Sequence, residues 1–442
     1  MANAKAGWAQ AAITPPLGLP MGGRGPLFTP GAAVLDPLIA QVLVLEDGKG
    51  GRALWASMDM IGLSHNATSL FRFELAAMTG IPYEAIVLNF SHTHSGPMTG
   101  FEGYATLTPK PETLQAYEDG LVDTLVGLAR QAIARLRPAS IRSYWGSSDI
   151  GINRRRADQQ GRVEMNPNPD GVYNSDLWVL DVAAQDGGRC LVFSYGCHPV
   201  TVYGYAYDSI SADFPGACRQ ELRQRLGQQV QAQFIQGLAG NIRPRRLADL
   251  DQGRFRRAEP EDPAAVGRQL ADDVLTALEG TGTPLELELK AASAFAMVAK
   301  DQSAVLPLSH WQGLTTSPKE IERNLGNYWV DRLQADMPPI TALPWEVGLI
   351  QLAPGQRIAW LAGEALAEWL AHLRQWLGDE GLVAWGYCQE GRGYMPPDAV
   401  IAEGGYEVIT SNTYNKAGPG PFGPGIDEAA RRTFLELSRR LC

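Results

Sequence analysis

Apolar positions along the chain fall into short blocks whose period switches repeatedly between that of a strand and that of a helix. Residues 39–45 and 53–58 are apolar runs of strand length around the turn Asp47-Gly-Lys-Gly-Gly51, which predicts two strands joined by a tight connection. A helix is expected at 67–78. Residues 85–90 form a continuous apolar run suited to a buried strand. Pro111 and Glu112 open a helix in which Leu114, Tyr117, Leu121, Leu125 and Leu128 keep a 3.6 period, ending before Pro138. Buried strands are expected at 177–182 and 190–195, then a helix at 216–226 and a strand at 230–235. The charged, aperiodic stretch 249–262 reads as a loop, and 266–278 as an amphipathic helix. The sequence Thr-Gly-Thr-Pro at 281–284 is the best boundary, dividing the chain into subdomains 1–280 and 281–442. Beyond it, strands are expected at 285–289, 347–352, 358–361 and 383–387, and helices at 318–333, 365–376 and 427–441. The expected class is α/β with a mixed sheet in two closely packed subdomains.

Composition narrows the function classes. With 442 residues, 45% of them apolar and 19% charged, the chain can bury a large core and is not a disordered polymer. A net charge of −10 argues against a nucleic-acid binder, which needs clustered positive charge, and against an anionic membrane surface as main partner; a small-molecule substrate is expected. Five scattered cysteines form neither a disulfide framework nor a zinc ribbon. The N-terminus has no apolar signal core, and no run of 18 apolar residues suggests a membrane span, so a cytoplasmic location is expected. A chain trimmed of its signal would look the same. Oligomeric state is left open.

Candidate chemistry concentrates on three of the six histidines. His92 and His94 lie in Ser91-His-Thr-His-Ser-Gly-Pro97, directly after a predicted buried strand, and His198 lies in Gly196-Cys-His-Pro199 after another. Loops at the carboxyl ends of strands are where α/β proteins bind ligands. Imidazoles from two strand ends suit a zinc ion that also finds a carboxylate. Asp59, Asp213 and Glu364 all qualify, and residue chemistry alone does not choose among them. Glu364, Glu368 and His372 recur every four residues, which for Glu368 and His372 reads as a solvated helix face.

The ordered set of motifs resembles the neutral ceramidase family of zinc amidases. The matching pieces are SHTHSG at 91–96, INR at 152–154, GCHPV at 196–200, SADFPG at 211–216, QGLAGNIRP at 236–244, Gly363-Glu364, and a segment in which Tyr394 is followed by Tyr406 and Glu407. They run from about residue 7 to 410, and the family's extra C-terminal β-domain is not expected here. The resemblance implies a ceramidase-like catalytic fold and a zinc held by His92, His198, Glu364 and Tyr394. It implies that His94 bonds the reacting group, that Arg154 contacts substrate and that Tyr406 lines the pocket. Arg155 and Arg156 read as a solvated basic turn.

One departure alters the expected chemistry. Where the family carries a catalytic serine, this chain reads Gly240-Asn-Ile-Arg-Pro244, with Arg243 at the serine position. A guanidinium there favours a polar or anionic substrate over ceramide, because it offers a fixed fork of donors. The expected activity is zinc-dependent hydrolysis of an N-acyl amide by a zinc-bound hydroxide. His94 would protonate the leaving amine, and zinc together with His94, Tyr406 or Arg243 would stabilise the oxyanion. Asp213 is expected either to orient a ligand histidine or to cap a helix. The alternatives are a metal hydrolase of an ester, phosphoester or glycoside, and a metal-binding relative without turnover.

Overall fold

The structure, a computed structural model, describes residues 4–24, 29–100, 111–391, 393–412 and 418–442. Among them, thirteen strands form one mixed sheet. Eight make one leaf, in the order Lys5–Ala12, Ile39–Glu46, Arg52–Met58, Ile86–Phe90, Val383–Cys388, Gln356–Ala362, Ala342–Ala353 and Lys290–Ala299. The other leaf runs Arg137–Ser147, Asp176–Ala184, Arg189–Tyr195 and Gln231–Gln236, with Thr283–Pro284 added beside Arg137–Ser147. Among the described residues, the leaves join at the corner pairs Lys5↔Pro138 and Ala6↔Arg137 and at one isolated bridge, Gly237↔Trp385. Past that corner they turn face to face.

Sequence alternation dictates this stacking. In Ile39–Glu46, Val42 and Val44 face one side, while Leu43 and Leu45 face the other. Leu43, Leu45, Trp55 and Trp385 of the first leaf meet Ile141, Trp178, Val182 and Val192 of the second in one core between the leaves. The Trp55 and Trp385 rings pack edge to face at 5.0 Å. The outer faces are covered by helices. His65–Thr79 and Glu112–Ala134 lie over the first leaf, Asp213–Leu226 and Asp262–Glu279 over the second, and Trp369–Leu377 and Ile426–Leu441 over the far end of the first. The result is a four-layer mixed α/β sandwich, in agreement with the expected class. Strands from both sides of residue 281 share the sheet.

Most expected elements form within a few residues of their predicted bounds. His65–Thr79 starts under an Ser64 side-chain cap and stops at Gly80 with φ 69°. Residues 285–289 do not form the expected strand. They alternate correctly but cross between the leaves, tied by Leu285 N–H to Ile141 O at 2.9 Å and Glu288 N–H to Leu352 O at 2.8 Å, so no ladder develops. The helix expected at 365–376 begins only at Trp369. Residues 418–425 connect to the last helix, with Phe422 buried beneath Lys300.

Candidate metal and catalytic site

Three parallel strand pairs end at one rim of the sandwich: Arg52–Met58 beside Ile86–Phe90, Arg189–Tyr195 beside Gln231–Gln236, and Gln356–Ala362 beside Val383–Cys388. His92 follows the first pair, His198 the second, and Glu364 the third. Buried amides lock these ends together. Asn89 and Gln236 bond reciprocally across the leaves, Nδ2 to Gln236 O at 3.1 Å and Gln236 N–H to Oδ1 at 2.8 Å. The Gln236 amide then donates to Ser91 O and Cys197 O, both at 2.9 Å. One fully buried glutamine thus holds the residues immediately before His92 and His198.

The imidazoles are aimed by backbone carbonyls. His92 Nδ1 lies 2.8 Å from Ile61 O, and His198 Nδ1 lies 2.7 Å from Ala239 O. Carbonyls only accept, so each Nδ1 carries a proton and each Nε2 is turned into the site. Both Nε2 atoms stand 3.2 Å from the same oxygen, Glu364 Oε2. Burial, then the Arg154 charge, push His198 down to about 4, so it is not an imidazolium at neutral pH. Burial opposes ionisation of Glu364, but the two histidines outweigh it and hold the carboxyl well below its usual range. Two imidazole nitrogens this close to one carboxylate oxygen need a proton or a cation between them, and one metal ion serves all three. The donor set therefore fits a divalent metal ion.

His94 joins the same cluster. Ligand nitrogens of His92, His94 and His198 all lie within 4.8 Å of one another. The His94 ring is bonded to the Gly23 backbone, its Nε2 is buried without a partner, and burial with the two neighbouring histidines holds its pKa well below the usual imidazole value. Tyr394 reaches the cluster through the short parallel pairing Glu364↔Tyr394, Ala365↔Met395. Its ring stacks on His198 at 6.4 Å, and its hydroxyl accepts from Arg154 Nη2 at 2.9 Å. Burial raises the Tyr394 pKa well above the usual phenol value. Tyr406 packs on Tyr394 at 5.6 Å and is 38% exposed, so it stands at the open side of the site.

Arg154 is buried and gives Nε to Glu407 Oε1 at 2.8 Å. Burial lowers its pKa, but Tyr394 and Glu407 more than reverse that. Arg155 was expected in a solvated turn. Instead it is buried on the strand Gly151–Ala157, donating to Glu407 Oε2 at 2.7 Å, because Glu407 offers a second oxygen to a second guanidinium. Arg243, on Ile242–Pro244, has no carboxylate within ion-pair distance among the described residues.

Other candidates lie elsewhere. The Asp213 carboxylate accepts from Thr201 N–H at 2.9 Å, Val202 N–H at 2.8 Å and Phe214 N–H at 2.6 Å. It braces the loop after His198 and bonds no imidazole, since carbonyls already occupy each ligand Nδ1. Burial raises it to about 6. Asp59 is taken up in a buried pair with Arg219. Glu368 is not on a solvated helix face: Asn241 Nδ2 donates to both its oxygens at 2.8 and 2.9 Å, and burial raises its pKa to about 6.

Sequence reasoning gave no role to Gln236 and Glu407, though both lie in the matching motifs, and missed Tyr387. Tyr387 packs 4.5 Å from the His92 ring, with a buried hydroxyl that has no partner. It ends a predicted strand, as the histidines do, and the same strand-end argument would have found it. Backbone strain clusters here. Of five non-glycine residues with positive φ among the described residues, His92, Asp213, Tyr387 and Gln389 lie at or beside the rim.

A buried imidazole–carboxylate–phenol cluster at converging strand ends defines a mixed α/β protein built around a candidate metal centre. Two solved structures share the whole arrangement of elements. Neutral ceramidase from Pseudomonas aeruginosa superposes with a TM-score of 0.73 and 19% identity, over 100% of this chain and 75% of that one. A ceramidase complexed with C2 gives 0.72 and 18%, over 100% and 76%. The chain has the neutral ceramidase fold. No protein-family model matches the sequence, and neither does any curated protein.

Proposed function

We propose that the chain is a zinc-dependent hydrolase of an acyl-amide bond, acting on a polar or anionic substrate. The convergence of His92 Nε2 and His198 Nε2 on Glu364 Oε2, both at 3.2 Å, carries this reading. The shared fold supports amide hydrolysis as the reaction class. His92, His198, Glu364 and Tyr394 would hold the metal. A zinc ion so bound lowers the pKa of water and polarises a carbonyl.

The remaining steps fall to side chains. His94, neutral at pH 7 and with a bare Nε2, takes a proton from the attacking water and returns it to the leaving nitrogen. Tyr406, at the open side, donates to the carbonyl oxygen as charge develops on it. Arg154 orients the Tyr394 hydroxyl, and Glu407 orients Arg154. Arg243 supplies the positive charge that favours a polar substrate over a sphingolipid.

The test is zinc content by elemental analysis in His92→Ala and His198→Ala, with amine release from N-acyl substrates measured in parallel. Both variants are expected to lose zinc and turnover. Full zinc retention in both would remove the assignment.

A further inference from the structure

Arg243 lies one residue past Ile242, whose carbonyl stands 3.2 Å from His198 Nδ1. Its cross-strand partner is Ile152, two residues before Arg154. Both arginines therefore project from one face of the small sheet formed by Gly151–Ala157 and Ile242–Pro244. Arg154 is committed to Glu407 and Tyr394. Arg243 is not committed. Among the described residues its Nε is buried without a partner, its Nη1 meets Met165 Sδ at 3.8 Å, and its guanidinium lies over Phe255 at 4.5 Å. Such a group stays charged at physiological pH and is costly to desolvate unless an anion meets it.

A second guanidinium shares its surroundings. Arg24, 6% exposed, gives Nη2 to His94 O at 3.1 Å and lies over Tyr207 at 4.2 Å, with Asp208 and Tyr207 favouring its charge; among the described residues its Nε and Nη1 are buried without a hydrogen-bond partner. Tyr203 interacts electrostatically with both arginines and packs 5.9 Å from the His94 ring. The Arg24 donors thus lie on the His94 flank of the cluster, and Arg243 lies beside the His198 loop.

We propose that Arg243, together with Arg24, forms a carboxylate subsite, and that the substrate is an N-acyl amino acid whose carboxylate sits on the leaving amine. The proposal rests on the amide-hydrolase reading above. The flank decides the orientation, because His94 is the group that protonates the leaving nitrogen. A fork with a free Nε edge matches a planar carboxylate. Water adds across the C–N bond, giving a carboxylic acid and an amino acid with no other reactant.

The test uses the zinc-loaded full chain, N-hexanoylglycine, and its neutral counterpart N-hexanoylethanolamine, with rates from amine release and affinities from calorimetry. Wild type is expected to prefer the carboxylate about 10–100-fold in kcat/KM, the range for charge-assisted hydrogen bonds. Arg243→Gln is expected to bring that ratio to about one, and Arg24→Gln to reduce it. Arg243→Lys, which keeps the charge, serves if the glutamine variant does not fold. It is expected to retain only part of the preference, and full retention would overturn the fork.

Equal rates on both substrates in wild type would overturn the subsite and leave amide hydrolysis standing. Hexanoylglycine that binds without being cleaved, and loses affinity in Arg243→Gln, would support the subsite and overturn the hydrolase. Neither binding nor cleavage would overturn both. Tighter binding of N-hexanoyl-aminomethylphosphonate would overturn the choice of carboxylate.

Discussion

Glu407 is the acid on which two buried cations depend, so Glu407→Gln is the sharpest probe of how the site is held. Glu407 is 2% exposed, with Arg154 Nε 2.8 Å from one oxygen and Arg155 Nη1 2.7 Å from the other. The amide keeps the shape but removes the charge, and its NH2 turns a donor toward one of the two guanidiniums. Arg155 retains Glu403 at 3.0 Å and Gly404 O at 2.9 Å, whereas Arg154 retains only the Tyr394 hydroxyl. Removing one partner of a buried pair costs about 3–5 kcal/mol. Glu403, whose side chain is 56% exposed, is the matched control, and Glu403→Gln is expected to cost about 0–1 kcal/mol. Urea unfolding followed by tryptophan fluorescence measures both. Arg154 also orients Tyr394, so zinc affinity in Glu407→Gln is expected to fall about 10–100-fold in a chelator competition. The pH dependence has a definite sign. Burial raises the Glu407 pKa, but Arg154 and Arg155 outweigh it and hold the folded value below the usual one. Its contribution is therefore present above the usual carboxylate range and lost as pH falls through the folded value. A Glu407→Gln protein within about 1 kcal/mol of wild type, with unchanged zinc affinity, would refute the reasoning.

Three further outcomes are expected. Gly23 has φ +71°, and a Cβ there would stand 2.6 Å from the His94 ring, so Gly23→Ala displaces that imidazole. Turnover is expected to drop at least about tenfold with zinc content unchanged, the usual weight of a general acid–base group being larger still; loss of zinc as well would make His94 a third ligand. Lys300 is buried with its Nζ on Gly420 O and over Phe422 at 4.5 Å, and burial lowers its pKa to about 8. The folded chain releases that proton before the unfolded chain does. Melting temperature is therefore expected to rise with pH above about 8 in wild type more than in Lys300→Met, and identical profiles would sink the argument. Removing zinc by dialysis against a chelator is expected to lower the melting temperature, and an unchanged temperature would mean that the folded chain gains nothing from the ion.

The parts of the site legible in the sequence are those where chemistry and strand boundary coincide. His92 and His198 each follow an apolar run that becomes a buried strand, and that rule needs no tertiary information. Glu364 and Tyr394 are different. Their meeting depends on the two-residue pairing of Glu364–Ala365 with Tyr394–Met395, too short to leave a period in the sequence, and only the motif resemblance singled them out. The i,i+4 spacing of Glu364, Glu368 and His372 suggested one helix face. Gly363 at φ 75° and the Asn241 amide instead turn the chain before the helix can begin. The Ala-rich strand Lys290–Ala299 was overlooked because its small side chains give little contrast between faces. Folding of the sheet onto itself was not legible, since it depends on the corner at Lys5 and Ala6.

That corner has a consequence for how the molecule behaves as a machine. Two pairs of residues are a slender spine for a book of thirteen strands, and beyond it the covers are held by one bridge at Gly237 and Trp385, the crossing segment 285–289 and packed side chains. His92 and Glu364 are printed on one page and His198 on the facing one. An ion gripped by all three would act as a clasp, making tightness of closure and readiness for chemistry the same physical event.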